Sequence, residues 1–252
     1  MDFSKTTLVA FGDSFVYGQY EDDLNYQSCW NRSWVSKLEK LGRFKSSINL
    51  AAPGASNSRS FRMLLKFLDE IYSPEENYLI IYAITDLSRF EVCLSADDFS
   101  YFKFVDIVHS PYDTAANDTK IAPIGPWIFN NPKSCCDDAR VIDSLKMYYG
   151  FLTNKNYHEK MFAQQLLAIN NLMAANGLKH HYMTTLDSNF FLKQFSKYKI
   201  ELPIIQHRHG RHLTITDFLS ESGFKPGSCG HFDHDGNQFL AENIYSQIKG
   251  QS

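Results

Sequence analysis

The apolar run at residues 7–11 ends in Gly12-Asp13-Ser14, and a serine placed where a buried strand turns into a helix has chemistry open to it. Its hydroxyl is exposed at the end of the strand. Its own backbone N–H lacks a helical partner, so a nucleophile and an oxyanion donor can come from one residue. The same residues can also serve as an ordinary helix N-cap. A nucleophilic serine needs a base, and the last helical pattern of the chain is preceded by Gly230-His231-Phe232-Asp233-His234-Asp235-Gly236-Asn237. A histidine in such a loop can reach a serine at the edge of a sheet, take its proton and return it to a leaving group. The plain alternative is a surface histidine.

The elements that must position these groups alternate along the chain. Strand patterns fall at residues 7–11, 47–50, 78–83 and 180–185, the third being nearly all apolar and expected to lie centrally. Helical spacing follows the first strand with Trp34, Leu38 and Leu41, and follows the second with Phe61, Leu64, Leu65, Leu68 and Ile71. Two more helices are predicted at about 158–176, burying Phe162, Leu166, Ile169 and Met173, and at 235–248, burying Leu240, Ile244 and Ile248. Gly177 is a natural stop for the first of these. Alternation of this kind predicts an α/β fold, a three-layer α/β/α sandwich with a central parallel sheet and right-handed crossovers. Ligands of such sheets sit at the carboxyl ends of the strands, which brings Ser14, Gly54 and Thr85 to one edge. Around residues 90–150 the pattern gives way to polar and aromatic stretches with four prolines, read as an inserted lobe beside the site. A long loop is expected from 203 to 230. Residues 1–252 are read as a single domain.

With 44% hydrophobic and 21% charged residues, the chain can bury a substantial core. A net charge of −3 supplies no basic footprint, so no nucleic-acid partner is expected. The five cysteines are an odd number without paired metal-type spacing, which fits a reducing compartment better than a disulfide framework. Neither a signal peptide nor a membrane span is visible, and a cytoplasmic location is expected.

The residues 11–18, Phe-Gly-Asp-Ser-Phe-Val-Tyr-Gly, resemble the first signature block of the SGNH (GDSL) hydrolases, a family of serine esterases with a flavodoxin-like fold. Residues 49–57, Asn-Leu-Ala-Ala-Pro-Gly-Ala-Ser-Asn, resemble the second block and make Gly54 the backbone oxyanion donor, with Asn57 beside it as a substrate or structural residue. Where the family's third block reads Gly-x-Asn-Asp, this chain has Ala83-Ile84-Thr85-Asp86. Thr85 then offers one hydroxyl in place of an amide as a third oxyanion donor. The continuation to Arg89 and Glu91 is similar to a branch whose third block runs Thr-x-x-x-Arg-x-Glu, where both charges are structural or orient substrate. In the last block the family places its histidine five residues before a glycine, and His231 fits where His234 does not.

Three residues before that histidine the family usually has an acid; here stands Ser228. Either His231 works in a dyad, oriented by a carbonyl or water, or another acid such as Asp233 substitutes. Asp13 and Asp86 are expected to tie loops together. The resemblance implies ester hydrolysis through an acyl-enzyme, without metal or cofactor, on a small-molecule or carbohydrate ester. An O-acetyl group on a carbohydrate is favoured, since no apolar lid is visible and the Tyr and Trp side chains of the insertion suit stacking on sugar rings. The competing class is a catalytically silent carbohydrate-binding or scaffold protein of the same fold. The sequence leaves the oligomeric state open.

The cluster His207-Arg208-His209-Gly210-Arg211-His212 lies near a metallo-hydrolase pattern, but Arg211 occupies the place of the needed aspartate and has no lone pair to give a cation. An anion-binding or solvated loop is the better expectation. The segment 233–237 does not have the spacing of an EF-hand.

Overall fold

A computed structural model describes residues 2–20, 25–87, 89–94, 120–124, 139–147, 155–185, 189–201, 203–205 and 212–250. Its centre is a four-stranded, all-parallel sheet of β1 (Thr6–Phe11), β2 (Ser46–Asn49), β3 (Asn77–Ile84) and β6 (Lys179–Thr184), in the order β2-β1-β3-β6. Every residue of β1 is buried, as is β3 from Tyr78 onward. Such runs show no polar alternation because strands covered on both faces have no solvent side.

The two-residue period of the strands sorts their side chains into two cores. Leu8 and Ala10 of β1, Leu79, Ile81 and Ala83 of β3 and Met183 of β6 face one way. There they meet α1 (Ser14–Tyr17), α2 (Tyr26–Arg32), α3 (Trp34–Gly42), α8 (Ile215–Glu221) and α9 (His234–Gly250). Val9, Phe11, Ile80, Tyr82, Ile84 and Tyr182 face the other way, onto α4 (Asn57–Glu70), α6 (Lys155–Ala175) and α7 (Asn189–Tyr198). The molecule is therefore the expected three-layer α/β sandwich. Helix α6 shows how the layer is held: Phe162, Leu166, Ile169 and Met173 are 2%, 0%, 0% and 0% exposed, each contributing about 1.5–3 kcal/mol by leaving water.

The sequence misplaced some faces. Leu41 and Leu65, expected inward, are 37% and 44% exposed; α4 instead buries Met63, Leu64 and Phe67. Within the span expected to be loop from 203 to 230, α8 forms behind Thr214, whose hydroxyl accepts the Asp217 N–H. The region read as an inserted lobe contains β4 (Phe90–Leu94) and β5 (Lys120–Ile124), an antiparallel pair separate from the main sheet, and α5 (Ala139–Met147). Most of that region lies outside the described residues.

The strand order has a consequence for function. From β1 the chain passes to β2 on one side and then to β3 on the other, so β1 and β3 flank the point where the winding reverses. Crevices of parallel sheets open there, at the carboxyl ends of the strands. Gly12-Asp13-Ser14 leaves β1 and Thr85 leaves β3 at that end.

Candidate active site

The turn after β1 needs its glycine. Gly12 has φ 153°, and a Cβ on it would stand 2.5 Å from Val16 Cγ2, so any larger residue would push α1 away from the sheet. Asp13 caps α1, its Oδ1 accepting the Phe15 N–H at 3.1 Å. Ser14 is the first residue of that helix and, against the exposed hydroxyl expected from the sequence, is only 4% exposed, because the turn and His231 close over it. Its N–H, like the other first amides of a helix, has no intrahelical partner.

His231 enters from the far end of the chain. Its Nε2 lies 2.6 Å from Ser14 Oγ, and the ring of Phe15 packs on the imidazole with centroids 4.7 Å apart. With the proton on Nδ1, the serine hydroxyl donates to Nε2, the arrangement a general base requires. The loop is shaped by its own backbone, with Gly227 N–H donating to the His231 carbonyl at 2.8 Å. His234 is engaged elsewhere: Lys37 Nζ of α3 donates to its ring, 2.9 Å from Nδ1. Burial pushes the His231 pKa below its ordinary value; Asp13 opposes that, Arg89 adds to it, and the main chain of Cys229 opposes it. Among the described residues Nδ1 makes no hydrogen bond.

Asp233, considered as the acid for this imidazole, is occupied otherwise. Its Oδ1 accepts the N–H groups of Asp235 and Gly236 at 3.1 and 3.0 Å, capping α9, because the exposed amides of a helix start attract a nearby carboxylate. Asp233→Ala should accordingly lower stability by about 1 kcal/mol, or roughly 2–4 °C in Tm for a chain of this size, with hydrolysis retained. A fall in rate of about 10⁴-fold, the scale on which a triad acid matters, would reinstate Asp233 as the acid.

The second loop is drawn to the first by Leu50 and Ala52, whose N–H groups donate to the carbonyls of Ala10 and Gly12 at 2.8 and 3.3 Å. Asn49 ties the same loop to α1, donating from Nδ2 to the Val16 carbonyl at 2.9 Å. Gly54 sits in this loop with φ 69°, a left-handed conformation that favours glycine. Among the described residues the Gly54 N–H donates to no backbone carbonyl.

Thr85 departs from the expected role. Its hydroxyl has one proton, and that proton goes to Asp13 Oδ2 at 2.6 Å, so it is not aimed at an oxyanion. Its backbone is clamped by Asn57, which accepts the Thr85 N–H and donates to the Thr85 carbonyl, both at 2.9 Å. Arg89 pairs with the same Asp13 oxygen at 2.9 Å, and Thr185, just past β6, shares its hydroxyl proton between that oxygen at 3.1 Å and the Ile84 carbonyl at 3.2 Å. Asp13 is thus a fully buried carboxylate on which three strand ends converge. Thr185 went unrecognised in the sequence; its signal was a hydroxyl at the close of the fourth strand pattern. Glu91 lies on β4, but its side chain is outside the described residues, as are His207, Arg208, His209 and Arg211. His212 Nδ1 donates to the Pro203 carbonyl at 2.8 Å. Among the described residues no group of three or more His, Cys, Asp or Glu side chains could hold a metal ion, and no helix is long and apolar enough to cross a membrane.

No family model matches the sequence, and no curated protein matches it. A solved structure of a carbohydrate esterase, whose active site is described as displaying divergent catalytic and non-catalytic binding functions, is similar at 13% sequence identity with a TM-score of 0.47; the match covers 97% of this chain and 68% of that one.

Proposed function

We propose that this chain is a serine esterase of the SGNH type, cleaving a small acyl ester through an acyl-enzyme on Ser14. The observation that carries the reading is the 2.6 Å contact between Ser14 Oγ and His231 Nε2, groups 217 residues apart in sequence. A serine hydroxyl within hydrogen-bond reach of an imidazole is the geometry that proton transfer needs.

In the reaction, Ser14 Oγ bonds to the ester carbonyl carbon while its proton passes to His231 Nε2. The carbonyl π electrons move onto oxygen, and the backbone N–H groups of Ser14 and Gly54 hold that oxyanion. Collapse re-forms the carbonyl and breaks the bond to the alcohol oxygen, which leaves with the proton from Nε2. Water then repeats the sequence on the acyl-enzyme: its proton goes to Nε2, and Ser14 departs as a free hydroxyl with the acid as product. Loss of one oxyanion donor typically costs about 10²-fold or more.

The favoured substrate is an O-acetyl ester on a carbohydrate. It is supported by the absence of an apolar lid pattern in the sequence and by the Tyr and Trp side chains within residues 90–150, Trp127 among them, whose rings suit stacking on sugars. A panel of acetylated sugars, short-chain acyl esters and long-chain lipid esters, each run with and without a chelator, tests the reading. Hydrolysis of acetyl esters that resists chelation is the expected result. Turnover confined to long-chain lipids overturns the substrate; no turnover of any ester, with sugar binding retained, favours the silent binding protein.

A further inference from the structure

Among the described residues no acid is hydrogen-bonded to the imidazole of His231, yet the transition state places a positive charge on it, and a buried cation without compensation is costly. Among the described residues the carboxylate acting on that charge is Asp13. Asp13 adjoins Ser14 in the chain, is 0% exposed and is held by four donors: Phe15 N–H, Thr85 Oγ1, Thr185 Oγ1 and Arg89 Nη1. Arg89 is itself largely enclosed, its side chain 12% exposed. A helix cap and two hydroxyls would suffice to satisfy a structural aspartate. Adding a guanidinium to a carboxylate beside the nucleophile places a fixed ion pair against the reacting groups, where screening by solvent is weak.

We propose that the buried Asp13–Arg89 pair is the positioning and charge-supporting partner of His231, Asp13 doing through space what a hydrogen-bonded carboxylate does in a Ser-His-acid triad and Arg89 limiting that effect. The proposal rests on the esterase reading for its catalytic meaning, and for its electrostatics on the buried Asp13–Arg89 pair beside the Ser14–His231 contact. The charged groups acting on the imidazole come from the turn after β1, as Asp13, and from the segment after β3, as Arg89; α1 contributes the neutral ring of Phe15 and the loop of His231 contributes the Cys229 main chain. Asp13 favours the imidazolium and Arg89 disfavours it. Removing the guanidinium therefore unmasks the carboxylate and makes His231 more basic; removing the carboxylate charge does the reverse.

The test is an NMR titration of the His231 imidazole in wild type, Arg89→Met, Arg89→Lys and Asp13→Asn, with the pH dependence of fluorophosphonate labelling followed on the same samples. In Arg89→Met the His231 midpoint is expected to rise by about one pH unit, with Arg89→Lys returning it to near the wild-type value, and the acid limb of labelling should move by the same amount. In Asp13→Asn the midpoint should fall. Should either Arg89→Met or Asp13→Asn fail to fold, the other still carries the sign. A structural role alone would scale labelling equally at every pH; unmoved midpoints in the folded variants overturn the proposal. Midpoints that move as stated in a protein the probe never labels uphold the electrostatic pairing while refuting the esterase reading.

Discussion

Ser14→Ala is expected to lower ester hydrolysis by about 10⁴-fold or more while leaving the fold in place. The loss is large because the acyl-enzyme has no other atom on which to form; what remains is the contribution of the oxyanion donors and of binding. The fold should survive because alanine keeps the backbone N–H at the start of α1, and the cap on that helix comes from Asp13 rather than from the serine side chain. Alanine also suits a helical first position. Initial rates on an acetyl ester, taken beside a thermal melt, check both halves: a collapse in rate with a nearly unchanged melting temperature is the predicted pair. Retained hydrolysis would move the chemistry to another residue.

His231→Ala should cost about 10³–10⁴-fold in kcat, since it removes the base in acylation and the acid for the leaving group together. It should also change the shape of the pH profile. The base must be neutral, and burial drives the His231 pKa down from its ordinary value, a shift that Asp13 opposes and Arg89 reinforces. A lowered pKa means the neutral ring persists to more acid pH. Activity in wild type should therefore be on its plateau at pH 7 and decline only below the usual histidine range of about 6.5. In kcat/KM, which reports the free enzyme, this acid limb should vanish from the residual activity of His231→Ala. A midpoint above 6.5 in wild type, or an unaltered limb in the variant, would mean another group is titrating.

Much of this was legible in the sequence where one physical constraint dominated. The central strands announced themselves because burial on both faces leaves no room for polar residues, as in Tyr78 to Ala83. Helix α6 was readable from four apolar residues at helical spacing, all of which are buried. Leu41 and Leu65 misled because a leucine next to a buried stripe looks the same whether or not a neighbouring layer reaches it, and that depends on the packing of α3 and α4. The helix α8 is short and sits among turn-forming residues, so its cap at Thr214 was the only strong local signal.

At the site, serine and histidine were marked by their places beside a strand end and a helix start. Their supports were not. Asp233 looked like an acid near a histidine, yet the amides of α9 claim it. Thr85 looked like a donor to substrate, yet Asp13 takes its proton. In both cases a residue type fixed what the side chain could do, and a competing partner, invisible in one dimension, decided what it does. The convergence of Thr85, Arg89 and Thr185 on Asp13 spans 172 residues of sequence at its widest, and no spacing rule encodes it.

An esterase of this kind requires the hydroxyl of Ser14 to be a nucleophile under native conditions. Peptide mapping by mass spectrometry after treatment with a fluorophosphonate answers this directly. A single covalent adduct on the peptide containing Ser14, lost in both Ser14→Ala and His231→Ala, is predicted; no adduct, or one on a different residue that persists in both variants, would contradict it.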